Sequence, residues 1–166
     1  MVRSRGAGIV KEGIIAGLLG AGGVAFWFLV VDLVTGKALA TPEVLGRALF
    51  SVLGKGIDWT PIQYVVAYTL FHVAAFCLIG TLVAAIVTAS DRVPGVLAGL
   101  LLLFAVFEMG FYGLTVFLSE GEILGNLAWY QIGAANLLAA ALMGRYLWKE
   151  HPGLGDRMAQ VLDGRT

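Results

Sequence analysis

Residues 63–87, QYVVAYTLFHVAAFCLIGTLVAAIV, and residues 94–118, PGVLAGLLLLFAVFEMGFYGLTVFL, decide the fold. Each is an almost unbroken apolar run. At 1.5 Å per helical residue, each is long enough to cross a hydrocarbon core about 30 Å thick. Each also carries one ionisable residue near its middle, His72 in the first and Glu108 in the second. A charge at the centre of a bilayer costs about 2.5 to 3.5 kcal/mol on insertion scales, so an intramembrane carboxylate marks a site and demands a partner.

Composition supports the same solvent. The chain has 166 residues, 59% hydrophobic and 13% charged; a soluble domain carries about 25% charged residues. A soluble bundle of this size has no room to hide so much apolar surface, because small domains bury only part of what the chain exposes. The 11 basic and 11 acidic residues balance, which argues against nucleic acid as a partner, since that calls for a basic patch. One cysteine, Cys77, excludes an internal disulfide and a Cys-pair metal site. The 23 glycines suit close helix contacts in lipid.

Outward from the opening stretch, two further spans complete the pattern. The four expected spans are about 13–35, 62–88, 95–118 and 127–148, within a single integral membrane domain, 1–166. Residues 1–12 read as a short, basic, flexible lead. The first apolar run is longer than a signal-peptide core, and Asp32, Gly36 and Lys37 separate it from the small-residue site Ala38-Leu39-Ala40, so it reads as uncleaved. Gly13, Gly17 and Ala21 share one helical face, a spacing that admits a second helix closely, with packing inside the chain favoured over a dimer seam. Thr41-Pro42-Glu43 is a helix start with a hydroxyl cap, proline in the first turn and an acid at the positive dipole end. The amphipathic segment it opens, about 42–54, is too short to span and is expected to lie in the membrane interface. Residues 151–166 read as a solvated tail with at most a short amphipathic turn through Met158, Val161 and Leu162.

The basic residues set the orientation. Arg3, Arg5, Lys11, Arg92, Arg145, Lys149, Arg157 and Arg165 fall on one side, against Lys37, Arg47 and Lys55 on the other. The positive-inside rule then places both termini in the cytoplasm and the amphipathic helix on the outer face. Short turns make successive spans antiparallel neighbours. The expected architecture is an all-α, four-transmembrane-helix antiparallel bundle with one interfacial helix between spans one and two.

Several polar residues sit at membrane depth. His72, Glu108 and Asn136 lie near mid-span and are expected to meet inside the bundle, lined by Tyr68, Tyr112, Thr115 and Gln131, because polar groups facing lipid go unsatisfied. Such a cluster serves either as a hydrogen-bonded clamp fixing helix register or as a proton relay or ligand site. A haem is less well supported: only His72 is a histidine at membrane depth, leaving Met109 or Met143 as the other axial ligand. No metal site is expected, since His72 and Glu108 supply only two of the three ligands zinc needs. Cys77 reads as a small buried hydrophobe, and Asp32 as a carboxylate at headgroup depth or capping a neighbouring helix, favoured over a role in an entry path. No Ser/His/Asp spacing, P-loop, HExxH or CxxC occurs, so no enzyme is expected.

The residues WFLVVDLVTGKALATPEVLGRALF (27–50), followed by YTLFHVAAF (68–76), resemble a group of uncharacterised bacterial four-helix membrane proteins. The resemblance covers the first two spans and the interfacial helix. It implies a bacterial inner-membrane protein and assigns no residue a role. The expected function is an accessory or structural subunit of a membrane assembly, in contact with lipid and with partner subunits or its own copies. The alternatives are a small proton-coupled transporter or ligand-binding protein using the His/Glu/Asn cluster, and a haem or quinone redox module.

Overall fold

The structure, a computed structural model, describes residues 2–53, 59–100, 102, 104–106, 108–109 and 129–164. Among these residues every regular element is a helix. In chain order they are α1 (Val2–Val34), α2 (Ala40–Leu53), α3 (Pro61–Ala89), α4 (Val96–Val106), α5 (Trp129–Glu150) and α6 (Leu154–Leu162). Two of them are long and apolar enough to cross a membrane: α1, over Gly6–Val34, and α3, over Pro61–Ala89. Much of the expected third span, the acidic turn after it and the start of the fourth lie outside the described residues.

Helix α1 is the spine of the fold. It runs antiparallel to α3 in a constant register, Gly13 opposite Thr81, Gly17 opposite Cys77 and Ala21 opposite His72. The approach is closed by missing side chains. A Cβ built on Gly17 would sit 2.6 Å from the Cys77 Cα, and one on Gly80 would sit 2.6 Å from the Gly17 nitrogen, distances no real Cβ tolerates. The small-residue face of α1 is therefore used within the chain, on α3. On a neighbouring face α1 runs antiparallel to α5: Gly20 lies under the Met143 thioether and the Phe76 ring of α3, Gly23 under Leu142, and the Trp27 indole donates to Gln131 Oε1 at 3.0 Å. Small residues let all three helices close up, and Ala16, Ala84, Ala135 and Ala139 are buried at the contacts.

Two expectations change. The lead before the first span is not a flexible segment, because α1 already begins at Val2. Arg, Ala, Lys and Glu in this stretch are good helix formers, and Glu12 is held by His151 at 3.0 Å. Nor is the tail a solvated end. Residues 154–162 form α6, whose Leu154 is buried while Met158 and Val161 pack on a core of Val87, Leu97 and Leu147. Arg157 anchors it: Nε donates to Ser90 Oγ at 3.0 Å and Nη1 pairs with Asp91 at 3.1 Å. The α3–α4 turn supplies both partners, which is why the tail's sequence alone did not announce the contact. The Gly-Leu-Gly start of α6 also needs that dock, since Gly155 lies under the Trp148 ring.

At the opposite end, α2 folds back across α1 and α3. The chain turns through Gly36 (φ 74°) and Leu39 (φ 65°), and α2 then seats Gly46 on the Tyr64 carbonyl. Glu43 and Arg47 pair along its exposed side at 2.9 Å. Arg47 also lies 4.6 Å over the Tyr64 ring, a cation–π contact. Phe50, Trp59 and Tyr64 cluster at this end with their rings tilted, the Phe50 and Trp59 centroids 4.5 Å apart.

Candidate functional site

Beyond Ala21, a pocket of about 190 Å³ lies between α1, α3 and the start of α2. Its walls are apolar: Val24, Ala25 and Phe28 of α1, Pro42 and Leu45 of α2, Val65 of α3. Its polar side is α3, where Tyr68, Thr69 and His72 face it within little more than one turn. Tyr68 and His72 are four residues apart and so share a face, their rings stacked with centroids 5.7 Å apart. Phe76, one turn further, holds the other side of the imidazole at 4.7 Å.

The imidazole is fixed by α1. Its Nε2 lies 3.4 Å from the Ala21 carbonyl. A carbonyl only accepts, so this contact calls for a proton on Nε2; a neutral ring of that tautomer keeps an acceptor lone pair at Nδ1. The bond is long for its kind. Only a side chain as small as alanine at position 21 lets the ring reach the α1 backbone. The hydroxyls bordering the pocket are already committed in two cases: Thr69 Oγ1 donates to the Val65 carbonyl at 2.7 Å, and Thr41 Oγ1 to Asp32 at 2.6 Å. Among the described residues, no hydrogen bond engages the Tyr68 hydroxyl.

The remaining expected site residues belong to other elements. Asn136 and Gln131 are on α5; Gln131 is used by Trp27, and Asn136 is half-buried. Glu108 is half-buried just past α4. Among the described residues no hydrogen bond joins His72 to either Glu108 or Asn136. Tyr112 and Thr115 lie outside the described residues. Of the methionines weighed as haem ligands, Met109 is exposed and Met143 packs its sulfur on Gly20. Among the described residues no three His, Cys, Asp or Glu side chains gather to hold a metal ion.

The sequence reading missed the part of the site that α2 contributes. Of the roles expected for Asp32, the structure shows the helix cap. Asp32 is 4% exposed and holds both the Thr41 amide, at 2.9 Å, and the Thr41 hydroxyl. A carboxylate at the first turn satisfies an otherwise orphaned amide and opposes the positive end of the helix dipole. That cap sets where Pro42 and Leu45 hang over the pocket. The signal for it was present in the nine-residue separation of Asp32 from a Thr-Pro-Glu helix start. Comparison with known proteins finds no matching family model, no matching curated protein and no matching solved structure.

Proposed function

We propose that this chain is an integral membrane protein of four spans that serves as an accessory or structural subunit of a membrane assembly. Its helix faces would contact lipid and partner helices, or a second copy of the chain. The observation that carries this reading is the outward surface of α1 and α3, where Phe26 is 64% exposed, Val34 82%, Leu70 68% and Leu78 63%. Continuous apolar faces of this extent belong against hydrocarbon or another apolar surface. In this reading His72, Glu108 and Asn136 are intramembrane polar residues. Both termini face the cytoplasm of a bacterial inner membrane, and α2 lies on the outer side.

The topology test uses a Cys77→Ser background carrying either Lys37→Cys or Ala159→Cys. A membrane-impermeant maleimide should label position 37 in intact cells and position 159 only after lysis; the reverse pattern overturns the orientation. Gentle detergent extraction followed by native mass spectrometry should retain a partner subunit or a second copy, and a monomer alone counts against the accessory role.

A second reading, a ligand-binding membrane protein, is favoured by one observation. The pocket beside His72 is walled by apolar side chains and carries a tyrosine hydroxyl with no partner among the described residues. An apolar cleft with a few convergent polar groups is the usual form of a small-molecule site.

A further inference from the structure

We infer that the pocket between α1, α2 and α3 binds the ring of a membrane-soluble phenolic compound, its hydroxyl placed between Tyr68 and His72. The inference rests on the ligand-binding reading and names the class of ligand. Size comes first. A dry cavity of about 150 Å³ lined by aliphatic and aromatic side chains holds a benzene ring; this pocket, at about 190 Å³, has room for one ring and a short substituent. Charge comes next. No Lys, Arg, Asp or Glu lines the pocket, so an ionised headgroup entering it would lose its hydration without gaining a counter-charge.

Hydrogen bonding narrows the class further. The Thr41 and Thr69 hydroxyls give their protons to Asp32 and to the Val65 carbonyl, so toward a ligand each can only accept; Tyr68 and His72 add the other two polar groups of the lining. The Tyr68 hydroxyl can donate. A neutral His72, with its Nε2 proton given to Ala21, offers an acceptor at Nδ1. A phenol hydroxyl matches both, accepting from tyrosine and donating to the imidazole, while its ring replaces apolar contacts among Val24, Phe28 and Val65. A plain hydrocarbon would leave both groups unpaired, and an unmet buried polar group costs more than a made hydrogen bond contributes. The same ring chemistry comes from two sources, a free hydrophobic phenol or the reduced head of a lipid-soluble quinone.

The test uses the full chain in lipid nanodiscs with 4-propylphenol and propylbenzene as probes, followed by ligand-detected NMR. The phenol should bind at least tenfold more tightly than propylbenzene. Tyr68→Phe should remove most of that preference and leave propylbenzene binding unchanged. Ala25→Leu, which fills the pocket from α1 without touching either polar group, should abolish binding of both probes, with helicity by circular dichroism retained in each variant. Equal binding of the two probes overturns the phenol assignment but leaves a ligand site standing. Absence of binding by either probe, or binding unchanged in Ala25→Leu, overturns the site itself. Displacement of 4-propylphenol by a short-chain quinol supports the quinone-derived source, and failure of that quinol to displace it supports a free phenol.

Discussion

The Asp32 carboxylate holds Thr41 at two points, Oδ2 taking the backbone amide at 2.9 Å and Oδ1 the hydroxyl at 2.6 Å. Both residues are buried, and the pair joins the end of the longest helix to the beginning of the helix that folds back over it. Removing a side chain that caps a helix start costs about 0.5 to 2 kcal/mol. Asp32→Ala is expected at the upper end of that range, because it strands an amide and a hydroxyl out of water together. Asp32→Asn keeps an acceptor for one of them and is expected to cost less. Hydrogen exchange should show the loss concentrated in α2 amides, with α1 and α3 protection unchanged. The Asp32→Ala, Thr41→Val double variant should cost less than the two single changes added together, since both remove the same bonds.

The crossing of α1 and α3 makes a sharper prediction, because backbone leaves nowhere for an added side chain to go. Gly17 faces the Cys77 backbone and Gly80 faces the Gly17 backbone. Gly17→Val or Gly80→Val should therefore force the helices apart, at a cost of about 1 to 3 kcal/mol or more. Gly22 and Gly144 give the internal control, since nothing lies within 4 Å of a Cβ at either position. Alanine there should stabilise by up to about 1 kcal/mol through helix propensity alone. Unfolding by dodecyl sulfate titration from mild detergent would rank the four. Tolerance of valine at position 17 or 80 would contradict the close approach.

What the chain disclosed in advance follows from which features have a local signature. The helical class and the α1 contact face were legible because Gly13, Gly17 and Ala21 repeat with the helical period and small residues mark close approach. The start of α2 was legible in Thr41-Pro42-Glu43, within two residues of its observed position. The partner of His72 was not, because it is a main-chain carbonyl, and every residue carries one. The Arg157 anchor joins residues that sequence order holds far apart, Ser90 and Asp91 in a turn and Arg157 in the last helix. The pocket is lined from three helices and depends on their relative placement, which no spacing within one helix encodes.

Leu39 supplies a prediction about the turn. Its φ of 65° lies in the left-handed region, where a Cβ crowds the following carbonyl and costs about 1 to 2 kcal/mol. Its side chain is 43% exposed, so little packing offsets that cost. Leu39→Gly should therefore be neutral or stabilising by up to about 1 kcal/mol, an unusual outcome for deleting a leucine, and Leu39→Val should destabilise. A fall in midpoint for the glycine variant comparable to that of valine would mean that the side chain, which also borders the pocket, packs more than its exposure suggests.

The docking of α6 separates two kinds of polar contact made by one arginine. The Arg157–Asp91 pair has an aspartate side chain that is 46% exposed; such pairs are worth about 0.2 to 1 kcal/mol and weaken with salt. The Arg157–Ser90 bond ends on a serine that is 0% exposed, whose own hydroxyl donates to the Val87 carbonyl at 2.6 Å. Hydrogen bonds to charged groups contribute about 1.5 to 3 kcal/mol, and water does not screen this one. Asp91→Asn should therefore loosen α6 only slightly, with the difference from the unaltered chain vanishing at high salt. Ser90→Ala should loosen it more, to the same extent at low and high salt. Arg157→Ala should release the helix from Leu147 and the α3–α4 turn altogether. Hydrogen exchange across residues 154–162 reads all three, and equal salt sensitivity of the serine and aspartate variants would show that the two contacts do not differ in the way their burial implies.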